Sequence, residues 1–189
     1  VLITHAHADH AGGAKFLREF TGAELIAPTD EADFIERGGY DQEEGLRLTI
    51  RDGIYPKGYE FQHTKVDKTV DHDFSFTLGS KTARVIVVPG HSHGPAGFLL
   101  YDTKQNSNSF FSGDIVFHGG TIGLGNWPGC SLDNYRKYIP RLSDLNVGSL
   151  FPGHFLWTLE NGQSYLDTAI QNLNSSYIPP IWMHNHPIK

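Results

Sequence analysis

The feature that most restricts this chain stands at its start. The apolar run Val1-Leu2-Ile3-Thr4 passes directly into His5-Ala6-His7-Ala8-Asp9-His10, which puts four potential metal ligands within six residues. A β-branched apolar run bounded by polar residues reads as the end of a buried strand. In extended chain the side chains at i, i+2 and i+4 share a face, so His5, His7 and Asp9 are expected to converge while His10 points elsewhere. That division suits two metals better than one. Three further segments repeat the arrangement, each a strand running into a glycine-marked turn that carries one ligand: Val88-Pro89-Gly90-His91, Ser112-Gly113-Asp114 and Phe151-Pro152-Gly153-His154. A chain built this way has to bring several strand ends together.

The remaining pattern supplies layers to hold those ends. Phe16, Leu17 and Phe20 recur at helical spacing and predict a helix over about 12–21. A strand over 24–27, stopped by Pro28, leads to a second helix capped by Thr29-Asp30 and running to Glu36. Residues 37–60 mix glycine, charge and isolated aromatics, and read as a long connection with at most one helical piece. Alternating apolar residues bounded by turns then predict strands over 74–78, 83–88, 97–102 and 109–114. A Gly-rich segment over 119–130 precedes a helix over 131–142, a short strand over 149–152 and a final helix over 161–173. Strands mixed with helices, without repeats, point to a single α/β layered domain over 1–189, with a Pro-rich tail from 178.

Composition removes several classes. With 15 Lys+Arg against 21 Asp+Glu, a net charge of -6 and no basic cluster denser than 65–68, nucleic acid is not an expected partner. No apolar run is long enough to span a bilayer, so no membrane partner is expected either. Cys130 is the one cysteine, which leaves no internal disulfide and no Cys-rich structural zinc site.

Taken in order, His5, His7, Asp9, His10, His91, Asp114 and His154 match HxHxDH followed by a distant His, an Asp and a last His, with gaps of 23 and 40 residues between the final three. The chain resembles the metallo-β-lactamase superfamily, and the resemblance covers nearly all of it. It implies an αββα sandwich, two packed mixed sheets with helices on the outer faces. It also implies that His5, His7 and His91 hold one metal, that Asp9, His10 and His154 hold a second, and that Asp114 bridges them. Imidazole and carboxylate donors suit two Zn(II) ions, with Fe or Mn as alternatives. The implied reaction is hydrolysis of a small-molecule ester, thioester or lactone by a water that the metals activate, with Asp9 as the catalytic residue that orients it or takes its proton.

Departures within the superfamily narrow the reading. A Cys stands at the position of Asp114 in the class B1 and B2 β-lactamases, with a Lys three residues later where this chain has Phe117, so antibiotic hydrolysis is not expected. Acyl-homoserine-lactone hydrolases often carry a Tyr where Phe117 stands. Ser112-Gly113-Asp114-Ile115-Val116-Phe117, followed by Gly119-Gly120, is most similar to glyoxalase II-like hydrolases. The same ligand set also occurs in iron persulfide dioxygenase-like enzymes and in metal-dependent phosphodiesterases, which remain the alternatives.

Family members carry strand-forming sequence ahead of HxHxDH, whereas four residues precede it here, so the chain reads as an N-terminally truncated fragment. The 35 residues after His154 are also too few for the glutathione-binding helical domain of true glyoxalase II. Within 37–60 and just beyond it, Tyr40, Tyr55, Tyr59 and Phe61 are expected either to wall the cleft or to seal the loop on the core. His93 and His118, close to ligand positions, read as cleft residues or solvated loop residues; His63 and His72 read as surface. The pair His184 and His186 in the tail carries no catalytic weight. Asn174-Ser175-Ser176 matches a glycosylation pattern without context, and Cys130 reads as an inert thiol.

Overall fold

The computed structural model describes residues 1–101, 107–175 and 180–181. A small parallel sheet pairs β1 (Ile26–Pro28) with β2 (Lys68–Val70). The opening residues run beside β1: Ile26 donates its amide to Val1 and Ile3 donates to Ile26, both at 2.9 Å. The larger sheet has the order β3 (Ser75–Leu78), β4 (Lys81–Val87), β5 (Ala96–Tyr101), β6 (Asn108–Gly113) and β7 (Val147–Pro152). Neighbours are antiparallel as far as β6, and β7 is parallel to β6. A parallel pair needs a crossover, supplied here by α5 (Leu132–Tyr138); α6 (Gly162–Asn174) follows β7.

The period of two along β4 explains the layering. Val85 and Val87 point between the sheets, into a core with Val70, Ala96 and Phe98 flanked by Leu2 and Ile26. Ile86 and Val88 point the other way, into the larger core with Leu99, Phe110, Leu150 and the α5 and α6 residues Tyr135, Leu166 and Ala169. A strand buried on both faces reads as a continuous apolar run, as 85–88 does. Outside the small sheet lie α1 (Ala8–Ala11), α2 (Ala14–Thr21), α3 (Thr29–Arg37) and α4 (Tyr40–Arg51). Ala11, Ala14, Ala32 and Ile35 of these helices share a third core with Ile3, Leu25 and Phe61. The architecture is the expected αββα sandwich.

Several expectations need correcting. The segment 37–60 holds the one helical piece that its reading allowed, but that helix, α4, fills half of it rather than a small part; none of the α4 residues is fully buried. The α2 residues Phe16 and Phe20 are 67% and 77% exposed and stack on each other at 5.6 Å. The inward face of that helix is Ala14, and Arg18 pairs with Asp67 at 2.8 Å. Pro28 is the N-cap of α3, and no side chain caps that helix, so Thr29 and Asp30 do not serve as its cap. The strand β2 had no apolar signal and exists because β1 pairs with it. The small sheet lies over β4 and β5, while Phe111 of β6 stacks on Phe151 of β7 at 4.9 Å and is left exposed. His184, His186 and most of the tail lie outside the described residues, as does Ser176.

Candidate metal centre

Because β4 and β6 are both antiparallel to β5, and β7 is parallel to β6, the three strands run in one direction and end at one edge of the sheet. His91, Asp114 and His154 follow those three ends. Backbone bonds tie the neighbouring ends together, Ala96 N to Thr4 O and Gly153 N to Gly113 O, each at 2.8 Å. The turn carrying His5 to His10 is therefore held against the edge from which the other three residues emerge.

His5 Nε2, His7 Nδ1 and His91 Nε2 form a triangle with sides of 3.0, 3.1 and 2.9 Å. A neutral imidazole has one N–H, and that of His91 is committed: Nδ1 lies 2.5 Å from the Gly123 carbonyl, which can only accept. His91 Nε2 therefore presents a lone pair to the other two rings. Nitrogens that share one tetrahedral zinc at about 2.0–2.1 Å are about 3.3 Å apart, so the triangle suits a divalent ion. Burial, reinforced by neighbouring imidazoles, lowers the pKa of His5 and of His91 and takes His7 down to about 3, so all three rings are neutral donors at pH 7.

A second group lies beside the first. His154 Nε2 is 3.0 Å from Asp9 Oδ2 and 3.2 Å from His10 Nε2, which is itself 3.4 Å from Asp9 Oδ2. Here the extended-chain expectation fails. The chain turns helical at Ala8, with the amides of His10 and Ala11 both directed at His7 O, and the turn rotates Asp9 away from His5 and His7 and toward His10 and His154. Asp114 faces both groups. Its Oδ2 is 3.5 Å from His91 Nε2 and 3.3 Å from His154 Nε2, and its Oδ1 is 3.4 Å from His10 Nε2. Asp114 Oδ1 is buried with no well-aligned hydrogen bond, its nearest polar neighbour being the His10 ring at 3.4 Å, and a cation there would complement it more fully.

The two groups differ electrostatically. Burial works against a charged His10, but its hydrogen bonds to the Asp114 and Asp9 carboxylates outweigh it and raise its pKa to about 9. The same two carboxylates raise His154 to about 10. Burial opposes ionisation of Asp9 and Asp114, yet the bonds to His10 and His154 hold both well below the usual carboxylate range. Two imidazolium ions thus balance two carboxylates in the metal-free protein.

Two glycines make room for this packing. A Cβ on Gly153 would lie 2.3 Å from Asp114 Oδ1, and one on Gly90, whose φ is 149°, would lie 2.5 Å from the Tyr135 ring. Around the centre, Tyr55 and Tyr59 stack at 4.7 Å, and Tyr55 is close enough to Asp9 for that carboxylate, after burial, to help raise its phenol. Tyr40 is exposed, and Phe61, buried in the core, seals the segment onto it. Phe155 is edge-on to Phe117 at 5.5 Å beside His154. His93 pairs with Asp41 of α4 at 2.7 Å, and His118 bonds the Tyr165 hydroxyl at 3.0 Å; neither belongs to the two groups. The half-buried Cys130 thiol accepts the Gly125 amide, and burial raises its pKa.

Two residues escaped the sequence. Trp127 packs edge-on to His7 and His91 and donates its indole N–H to His91 O at 2.8 Å. An aromatic among the glycines of 119–130 was its only signal. Glu31 is buried behind the centre, and it looked like an ordinary acid in the first turn of a helix.

The chain is similar to several known proteins. Hydroxyacylglutathione hydrolase GloC of Haemophilus influenzae is 27% identical over 128 residues, covering 68% of this chain and 54% of its own length. The hydroxyacylglutathione hydrolase of Methylococcus capsulatus is 25% identical over 184 residues, covering 93% and 58%. The chain thus spans little more than half the length of these relatives. The subclass B3 metallo-β-lactamase BJP-1 of Bradyrhizobium japonicum superposes over 92% of this chain and 68% of its own with a TM-score of 0.65, at 23% identity, a likeness of fold. A family model described as the metallo-beta-lactamase superfamily matches residues 1–165. That match runs through all seven candidate ligands, from His5 to His154, and the chain belongs to the metallo-β-lactamase superfamily.

Proposed function

We propose that this chain carries the binuclear zinc centre of a hydrolase acting on an ester, thioester or lactone. The observation that carries this reading is Asp114, one carboxylate within 3.5 Å of ring nitrogens in both groups. His5, His7 and His91 would hold one ion, Asp9, His10 and His154 the other, and Asp114 both. Neutral imidazoles and carboxylates without thiolates are a donor set suited to zinc. When bound, such ions supply Lewis-acid polarisation of a carbonyl and an activated water.

The protein's own contribution is placement. The Asp9 carboxylate, 40% exposed, opens to the cleft, where it orients the attacking water and accepts its proton. Trp127, Tyr55 and Phe155 flank the centre on different sides and favour an apolar or aromatic acyl or leaving group. The hydroxyacylglutathione hydrolases among its relatives support an acyl substrate. The net charge of -6 supports a small molecule over nucleic acid.

The test is turnover by the zinc-loaded protein across an aryl ester, an acyl-glutathione thioester, an acyl lactone and an aryl phosphodiester. Carbonyl hydrolysis should exceed phosphodiester hydrolysis and vanish in Asp114→Ala. Faster phosphodiester turnover would move the chain to the other chemistry.

A further inference from the structure

Glu31 is 1% exposed, in the first turn of α3, and it belongs to neither group of candidate ligands. Its Oε2 accepts the Ala6 amide at 2.8 Å. Its Oε1 accepts the Ser92 hydroxyl at 2.6 Å and the Gly94 amide at 2.8 Å. Ala6 lies between His5 and His7, while Ser92 and Gly94 follow directly after His91. One carboxylate therefore joins the two chain segments that supply the imidazole triangle.

Burial raises the pKa of Glu31, and the bonds from Ser92, Gly94 and Ala6 act against that rise and favour the ionised form. Two of the three partners are backbone N–H groups that cannot accept, so a neutral acid would find few places for its proton. A buried charge is tolerated when hydrogen bonds complement it, and such bonds to a charged group are the stronger kind. The base of the contact is rigid, because Ala32 and Ile35 anchor α3 in the core with Ile3, Leu25 and Ala27.

We propose that Glu31 is a positioning residue for the metal centre: it clamps the turn at 5–7 to the loop at 91–94, so that the three ring nitrogens stand 2.9–3.1 Å apart before an ion binds. Groups that orient ligands in this way typically change metal affinity by about 10–100-fold when altered. The inference rests on the metal-centre reading and not on the substrate.

The test is a Zn(II) titration of metal-free full chain in competition with a chromophoric chelator, with circular dichroism to report the fold and the Co(II) absorption spectrum to report ligand geometry. The binding step that His7→Ala abolishes identifies the triangle. Glu31→Gln puts an NH2 group against donors and should weaken that step by about 10–100-fold and alter the cobalt spectrum, leaving the other step nearly unchanged. Glu31→Asp keeps the charge and should fall between Gln and wild type. Ser92→Ala, which removes one bond of three, should weaken the same step by less than about tenfold. A folded Glu31→Gln protein with both steps and the cobalt spectrum unchanged overturns the clamp, as does equal weakening of both steps. If Glu31→Gln does not fold, unchanged titrations in both Glu31→Asp and Ser92→Ala overturn it instead. A wild-type protein that binds zinc in two steps but hydrolyses nothing would sink the hydrolase reading and leave this test intact.

Discussion

His91 donates its Nδ1–H to the Gly123 carbonyl at 2.5 Å, and this bond decides which ring nitrogen faces His5 and His7. A Cβ on Gly123 would lie 2.5 Å from His91 Nδ1 and 2.4 Å from Asp114 O. Gly123→Ala should therefore displace both candidate ligands and lower zinc affinity by about 10–100-fold in a chain that still folds. Chelator competition checks this; an unchanged affinity would show that the ring is held by other contacts.

Tyr135 ties the core to the same segment. Its buried hydroxyl donates to the carbonyls of Asp114 at 3.1 Å and Ile115 at 3.2 Å. Tyr135→Phe leaves those acceptors short of a donor and should cost about 1–3 kcal/mol. The expected signature in thermal unfolding of the metal-free protein is a midpoint lower by roughly 2–10 °C.

The protonation pattern fixes a pH dependence. In the metal-free fold His10 and His154 have pKa values raised to about 9 and about 10, against about 6.5 in the unfolded chain. The folded state binds the extra protons between those limits, so this stabilisation is complete below about pH 6.5 and is lost as pH rises through 9 and 10. The His154 side chain is 41% exposed, so solvent screening makes its share smaller than that of His10. Unfolding midpoints from pH 6 to 10.5 should fall across this window in wild type and much less in Asp114→Asn. A flat wild-type profile would refute the charge pattern.

The sequence carried the order of the candidate ligands and the strands that deliver them, because a turn after an apolar strand has few ways to point a His or Asp. Extended-chain geometry misplaced Asp9, which the family resemblance had grouped with His10 and His154, since nothing in Ala6-His7-Ala8 announces that helix begins at Ala8. The extent of α4 was hidden because its aliphatic residues Leu46, Leu48 and Ile50 stand two apart, a spacing that does not mark a helix. Glu31 and Trp127 were invisible for another reason. Their roles depend on loops brought together from distant parts of the chain, Ala6 with Ser92 in one case and His7 with His91 in the other. Phe16 and Phe20 have the expected helical spacing yet face outward, because period reports helix and not which side is covered.

The central claim is a binuclear centre shared through Asp114, and elemental analysis of the protein purified without added metal tests it most directly, with wild type and Asp114→Asn side by side. The account predicts about two zinc ions per wild-type chain and one or fewer in the variant; one iron or no metal in wild type, or two zinc ions retained in Asp114→Asn, would contradict it.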